Sequence, residues 1–127
     1  MALTNDVKQT MLDAGFGTGA SSGTWLSLHS ADPTTTVATA LANELAGAPY
    51  GRVQLNLAAA AAGVKTLAAS AVVSIQTGDA FSYYALWSVS SAGTQAQYKG
   101  GAALTAAEGA YGANGTYTIT SIGNLSL

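Results

Sequence analysis

Only ten of the 127 residues carry a charge, four Lys or Arg against six Asp or Glu. In soluble domains about a quarter of the residues usually do. A fold made from this chain must therefore build its surface largely from Thr, Ser, Ala and Gly, which number 15, 12, 27 and 15. Such a surface sheds water cheaply, because small neutral side chains cost far less to bury than Lys or Glu. Four basic residues neutralise few phosphates, so nucleic-acid binding is not expected. The absence of Cys removes disulfides, thiolate zinc sites, iron–sulfur clusters and a cysteine nucleophile. A hydrophobic content of 49% with a net charge of −2 favours collapse over disorder. The mean hydropathy of +0.28 comes largely from Ala. The longest weakly polar run, residues 57–75, is interrupted by Lys65, Thr66, Ser70 and Ser74, so no membrane span is expected. The opening MALTNDVK has no basic region followed by an apolar run, and no secretory signal is expected either. The length suits one domain with a modest core.

Periodicity divides the chain into one helix and a series of short strands. Residues 5–14 predict the helix: Thr4 or Asn5 caps it, Asp6 suits its positive end, Val7, Met11 and Leu12 share a face, and Gly15 stops it. Residues 15–23, with four glycines, read as a loop. Residues 25–29 alternate, with Leu26 and Leu28 on one face and Trp25, Ser27 and His29 on a polar one. A turn at Asp32-Pro33 follows. Residues 34–49 allow either a short helix over 38–45 or a long crossing loop. In residues 50–57, Val53, Leu55 and Leu57 alternate with Arg52, Gln54 and Asn56; in residues 69–76, Ala71, Val73 and Ile75 share a face. The run of alanines in 58–64 is uninformative. Residues 82–89 place Tyr83, Ala85, Trp87 and Val89 opposite Tyr84 and Leu86, so both faces are apolar, the mark of a central strand or of one covered on both sides by a partner. Short strand segments are expected within 94–104, around Gly100-Gly101. In the last strand Tyr117, Ile119, Leu125 and Leu127 alternate with threonines, and Ile122 breaks the parity near Gly123. The pattern predicts a mainly β protein: a single β-sandwich or jelly-roll-like domain with a short N-terminal helix. Residues 1–23 are expected to be an attachment segment and 24–127 the sandwich.

Catalytic machinery is not legible. The carboxylates Asp6, Asp13, Asp32, Glu44, Asp79 and Glu108 are scattered without a shared motif. His29 with Asp32 offers two metal ligands where catalytic zinc uses three, so a structural histidine is expected. Gly15-Phe16-Gly17 trails a helix instead of opening one and lacks the third glycine of a phosphate loop. Arg52 is expected to pair with a carboxylate such as Glu44. Tyr83, Tyr84, Trp87 and Tyr98 suit a core or subunit interface better than a sugar platform, and Trp25, on the polar face, suits an interface.

Six segments in order carry a resemblance: MALTNDVKQTMLDA, WLSLHSADP, ANELAGAPYGR, YYALWS, GGAALTAAE and GTYTITSIGNLSL. Together they resemble a family of small tailed-bacteriophage virion proteins, often labelled tail fibre or minor tail proteins and including capsid-decoration-like members. The sequence departs from that pattern with Ser30 in place of Thr, a longer stretch over 34–41, and Thr77-Gly78-Asp79 in place of a Pro-Ala-Gly-Thr turn. The resemblance implies a non-enzymatic virion protein on the exterior of head or tail, without cofactor or metal. A capsid decoration protein is the first expectation; a minor tail or tail fibre subunit, or a carbohydrate- or receptor-binding sandwich, are the alternatives. The implied partners are further copies of the chain, as a homotrimer, and the major capsid or tail proteins of the same phage; a host-surface glycan belongs to the last alternative. Val7, Met11, Leu12, Phe16, Trp25, Tyr83, Tyr84, Trp87 and Tyr98 are the candidate interface residues.

Overall fold

The period-two segments become antiparallel strands in the computed structural model, which describes residues 1–123 and 125–126. The order is α1 (Asn5–Phe16), β1 (Trp25–His29), α2 (Val37–Asn43), β2 (Val53–Gln54), β3 (Val64–Lys65), β4 (Ala71–Ile75), β5 (Phe81–Trp87), β6 (Tyr98–Glu108), β7 (Gly115–Ile119) and β8 (Leu125–Ser126). One sheet has the order β2-β1-β5-β6, and β4 pairs with β7 and β3 with β8. Every pairing is antiparallel. Leu26 and Leu28 from β1 and Leu86 from β5 meet Ala71, Val73 and Ile75 from β4 and Ile119 from β7 in one buried cluster. This cluster is the interior of a sandwich, and the alternation of β4 holds as expected. Phe81 plugs one end, edge-on to Tyr117 at 5.0 Å between ring centroids.

The other face of the four-stranded sheet is covered too. Ala85, Trp87 and Tyr98 pack with Ala40 of α2, and Trp25, Val37 and Val89 flank them. Of the two readings of residues 34–49, the helix holds. It removes the polar face expected for β1: Ser27 and His29 are both 0% exposed. Period two sorts residues onto faces but does not say whether a polar face is wet. β5 lies between β1 and β6, so of the two readings of its apolar faces the central strand holds. The loop after β1 also reaches the sheet: Pro33 is buried, and a Cβ on Gly101 would lie 2.6 Å from its Cγ.

Several boundaries differ from the sequence reading. α1 runs through Gly15 and is capped by Gly17, at φ +70°. Glycine is required there because a Cβ would fall 1.9 Å from the Ser22 carbonyl oxygen. Thr4 caps the other end, its Oγ1 accepting from the Val7 N–H at 3.3 Å. Residues 55–57 leave the ladder with β1, although Leu55 and Leu57 stay buried. The Leu55 N–H donates to the Thr24 carbonyl at 2.9 Å instead. β6 is longer than expected. The final segment is two strands, because Ile122 turns into the core at 3% exposure before Gly123 reverses to φ +69°. Leu127 lies outside the described residues.

Residues 1–23 are bonded into the body. Gly19 exchanges backbone hydrogen bonds with Leu57 at 2.7 and 3.3 Å. The Ser22 hydroxyl donates to the Leu55 carbonyl, and that of Thr24 to the Phe16 carbonyl. The firmest tie is Lys65, whose side chain is 0% exposed. Its Nζ donates to Asp13 Oδ1 at 2.6 Å, the Ala58 carbonyl at 2.8 Å and Thr18 Oγ1 at 3.1 Å. Three ammonium protons thus meet three acceptors. The Lys65 hydrogen bond, with one from the Ala60 N–H, holds the Asp13 carboxyl below its usual range. Removing the carboxylate strands a charge in the interior, whereas removing the ammonium leaves a half-exposed carboxylate that water can reach. Asp13→Ala is therefore expected to lower the urea midpoint more than Lys65→Met; equilibrium unfolding of both variants, with the opposite order as the contrary result, checks this.

Candidate functional site

Two polar clusters sit against the covered face of the sheet. In the first, Arg52 grips Glu44 through both arms, Nη2 to Oε1 at 2.7 Å and Nε to Oε2 at 2.9 Å. This is the pair expected from the sequence. Its Nη1 donates to the Val89 carbonyl at 3.1 Å, and its guanidinium carbon lies 3.9 Å from the centre of the Trp87 ring. The Tyr50 hydroxyl donates to Glu44 Oε2 at 2.9 Å and accepts from the Leu28 N–H at 3.2 Å. Burial, and then the Glu44 charge, pushes the Tyr50 phenol far above its usual range, so it stays a donor.

The second cluster is a directed chain. Trp87 Nε1–H donates to Ser27 Oγ at 2.7 Å. His29 Nδ1 faces the acceptor Asn43 Oδ1 and must carry the ring proton, so Nε2 is the bare nitrogen and the Ser27 hydroxyl donates to it, also at 2.7 Å. Nδ1 in turn donates to Asn43 Oδ1 at 2.6 Å. Asn43 Nδ2 passes the chain on to the Asp32 carbonyl at 3.0 Å. Hydroxyl, imidazole and amide are spaced like a nucleophile, base and orienter. Yet Ser27 and His29 are 0% exposed, and the Ser27 oxygen already holds the indole proton. Every polar atom of the trio is occupied in joining β1, β5 and α2. Asp32 does not face the imidazole with its carboxylate; that group accepts from the Thr34 N–H at 2.9 Å in a turn. Among the described residues no group of three His, Asp or Glu is placed to hold a metal.

The candidate interface residues separate into three sets. Val7 and Met11, 45% and 49% exposed, stand on the outer side of α1. Phe16, Trp25, Tyr83 and Tyr84 are half-buried. Leu12, Trp87 and Tyr98 are core residues, a correction to their place among contact candidates. Leu12 faces inward on α1, and α2 closes over the two aromatics, whose rings lie 4.7 Å apart. Tyr98 also spends its hydroxyl on the Thr34 carbonyl at 2.6 Å, so it presents no platform for a sugar ring.

The open surface lies elsewhere, beside β6. A cleft of about 660 Å³ runs between residues 102–106 of β6 and residues 117–123 at the end of β7, with Tyr84 and Leu125 at its base. None of its lining side chains is charged. A smaller pocket of about 210 Å³, bounded by Phe16, Leu86 and Lys99, shares Tyr84, Ala102 and Leu125 with it. Sequence reading missed Lys65 and Ser27 as bonded interior residues and Asn43 as their partly buried counterpart beside His29; the lone Lys inside an otherwise weakly polar run was the available signal. Compared with known proteins, the chain matches no family model, no curated protein and no solved structure.

Burial pushes the His29 imidazole below its ordinary value of 6.5, outweighing the hydrogen bond that it donates to Asn43 and the Glu44 charge, while Arg52 adds to the lowering. The unfolded chain then takes up a proton more readily than the folded one. Stability is fully present above pH 6.5 and falls as the pH drops below it, with a slope approaching about 1.4 kcal/mol per pH unit for one proton. His29→Asn should abolish that slope between pH 6.5 and 5, as read by urea unfolding at a series of pH values; an unchanged slope would assign it to another group.

Proposed function

We propose that this chain is a non-enzymatic structural protein of a tailed-phage virion, seated on the particle exterior as a capsid decoration protein. The observation that carries this reading is where the charges go. Four of the ten, Asp13, Glu44, Arg52 and Lys65, are consumed in two internal ion pairs. Asp6, Lys8, Asp32, Asp79, Lys99 and Glu108 remain for an accessible surface of 6303 Å², and one carboxylate oxygen of Asp79 is itself buried. Charge depletion of that degree is the compositional mark of surface that becomes covered. The ordered resemblance to small phage virion proteins points the same way. Occupation of His29 and Ser27 in a closed hydrogen-bond chain supports a structural role for the histidine.

A decoration protein acts by mass action. It binds the assembled shell and not the dissociated subunits, so it stabilises the shell by an amount that grows with the logarithm of its concentration relative to its dissociation constant. α1, with Val7 and Met11 outward, and the charge-free cleft beside β6 are the surfaces offered for contact. Separating heads from tails of purified particles, then counting the protein on each by mass spectrometry and electron microscopy, tests the reading. Many copies on tail-less heads are expected. Copies confined to tails would overturn decoration in favour of a minor tail subunit.

A further inference from the structure

We propose that β6 is a self-association edge: the β6 strands of two copies of this chain pair antiparallel and join their four-stranded sheets into one. β6 is the last strand of its sheet, and among the described residues no strand pairs with its far edge. At 11 residues it is the longest strand described. Proteins blunt such edges with charge, proline, brevity or bulges, because a row of unpaired N–H and C=O groups is a template for another strand. Residues 100–107 carry no charge and no proline. The register with β5 does shift: Ala103 and Glu108, five positions apart, face Tyr83 and Phe81, two apart, and a smaller shift falls between Leu86 and Trp87. β6 thus bulges at both places and pairs regularly with β5 over residues 100–103. The bulges do not occupy the outer edge. Gly101, Ala102, Ala103, Thr105, Ala106 and Ala107 are all exposed, and side chains this small let a second backbone approach closely.

The occupant follows from the two charges that bracket this run. Lys99 stands at one end of β6 and Glu108 at the other, both partly exposed. A second β6 laid parallel would set Lys99 beside Lys99 and Glu108 beside Glu108. Laid antiparallel, it brings each Lys99 end to a Glu108 end, twice over. Between those ends both strands are neutral, matching a cleft with no charged lining. The pairing is isologous and closes at two copies. It therefore differs from the three-fold arrangement that the family resemblance implies.

Analytical ultracentrifugation of the full chain over a wide concentration range reads the pairing directly. A monomer–dimer equilibrium is expected. Glu108→Lys should weaken it about tenfold, two exposed ion pairs becoming two repulsions, and the double variant Lys99→Glu/Glu108→Lys should restore it. Because Lys99 also donates to the Gly15 carbonyl, the double variant puts α1 at risk. Thr105→Lys, placed mid-strand, serves as the second probe and should dissociate the dimer while circular dichroism stays unchanged. A monomer at every concentration, or an oligomer that survives Thr105→Lys, overturns the proposal. Neither outcome touches the location on the particle: a monomer found on heads would leave the decoration reading standing, and a dimer missing from particles would do the reverse.

Discussion

The arrangement of this protein hangs on the buried Arg52–Glu44 pair stacked against Trp87. Glu44 directly follows α2, Arg52 directly precedes β2, and Trp87 ends β5, so three separate stretches of chain are fixed by one guanidinium. Its remaining contact reaches past β5 to the Val89 carbonyl, and Tyr50 ties Glu44 back to β1. A buried ion pair is costly unless every proton and lone pair finds a partner. Here the planar fork suits that demand: one guanidinium meets a carboxylate bidentately, a carbonyl and an aromatic face together, which a lysine ammonium cannot do. With α2 held in this way, the second face of the sheet becomes an interior. Only then must the polar residues of β1 satisfy one another, which they do through the Trp87–Ser27–His29–Asn43 chain.

How much of this could be read in the sequence depends on the range of the cause. Alternation within β4, a cap at Thr4 (one of two candidates), the turn at Asp32-Pro33 and the Arg52–Glu44 pairing come from neighbours in sequence or from a scarcity of partners, and each holds. The end of α1 does not, because Gly15 and Gly17 are equally able to stop a helix locally. The Ser22 carbonyl selects Gly17 by approaching it from five residues away. Likewise, nothing within residues 25–29 reports that α2 will cover Ser27 and His29, and nothing within 82–89 separates an aromatic at an interface from one beneath a helix. Of the contact candidates, Val7 and Met11 lie outward, but Leu12, Trp87 and Tyr98 were drawn inward by elements distant in sequence. Lys65 was readable in principle: a lone ammonium within an apolar run must either break the run or be neutralised inside it.

The scarcity of charge also acquires a physical division of labour. Arg52 and Lys65 each anchor a helix to the sheets, α2 in one case and α1 in the other. Ion pairs are directional where apolar packing is not, and a chain rich in Ala has few large side chains with which to specify how a short helix sits. Ala40, with 0% exposure, packs closely but fixes little by itself. Two charge-assisted contacts supply the orientation that shape does not, at the cost of leaving the outside with still fewer charges.

That outside is what association must use. Over β1 and β5 the four-stranded sheet has no open face, since one side is the sandwich interior and the other lies beneath α2. Its β2 edge is only two residues long and offers a partner strand little. The β4–β7 layer shows an outer face with Val72 at 54% exposure among Ser and Thr, which suits loose lateral contact more than a specific seat. β6 differs from all of these. It is long, flanked by a charge-free cleft, and bracketed by charges of opposite sign at its two ends. Among the described residues it is the longest backbone edge without a partner strand, and its end charges give that edge a direction.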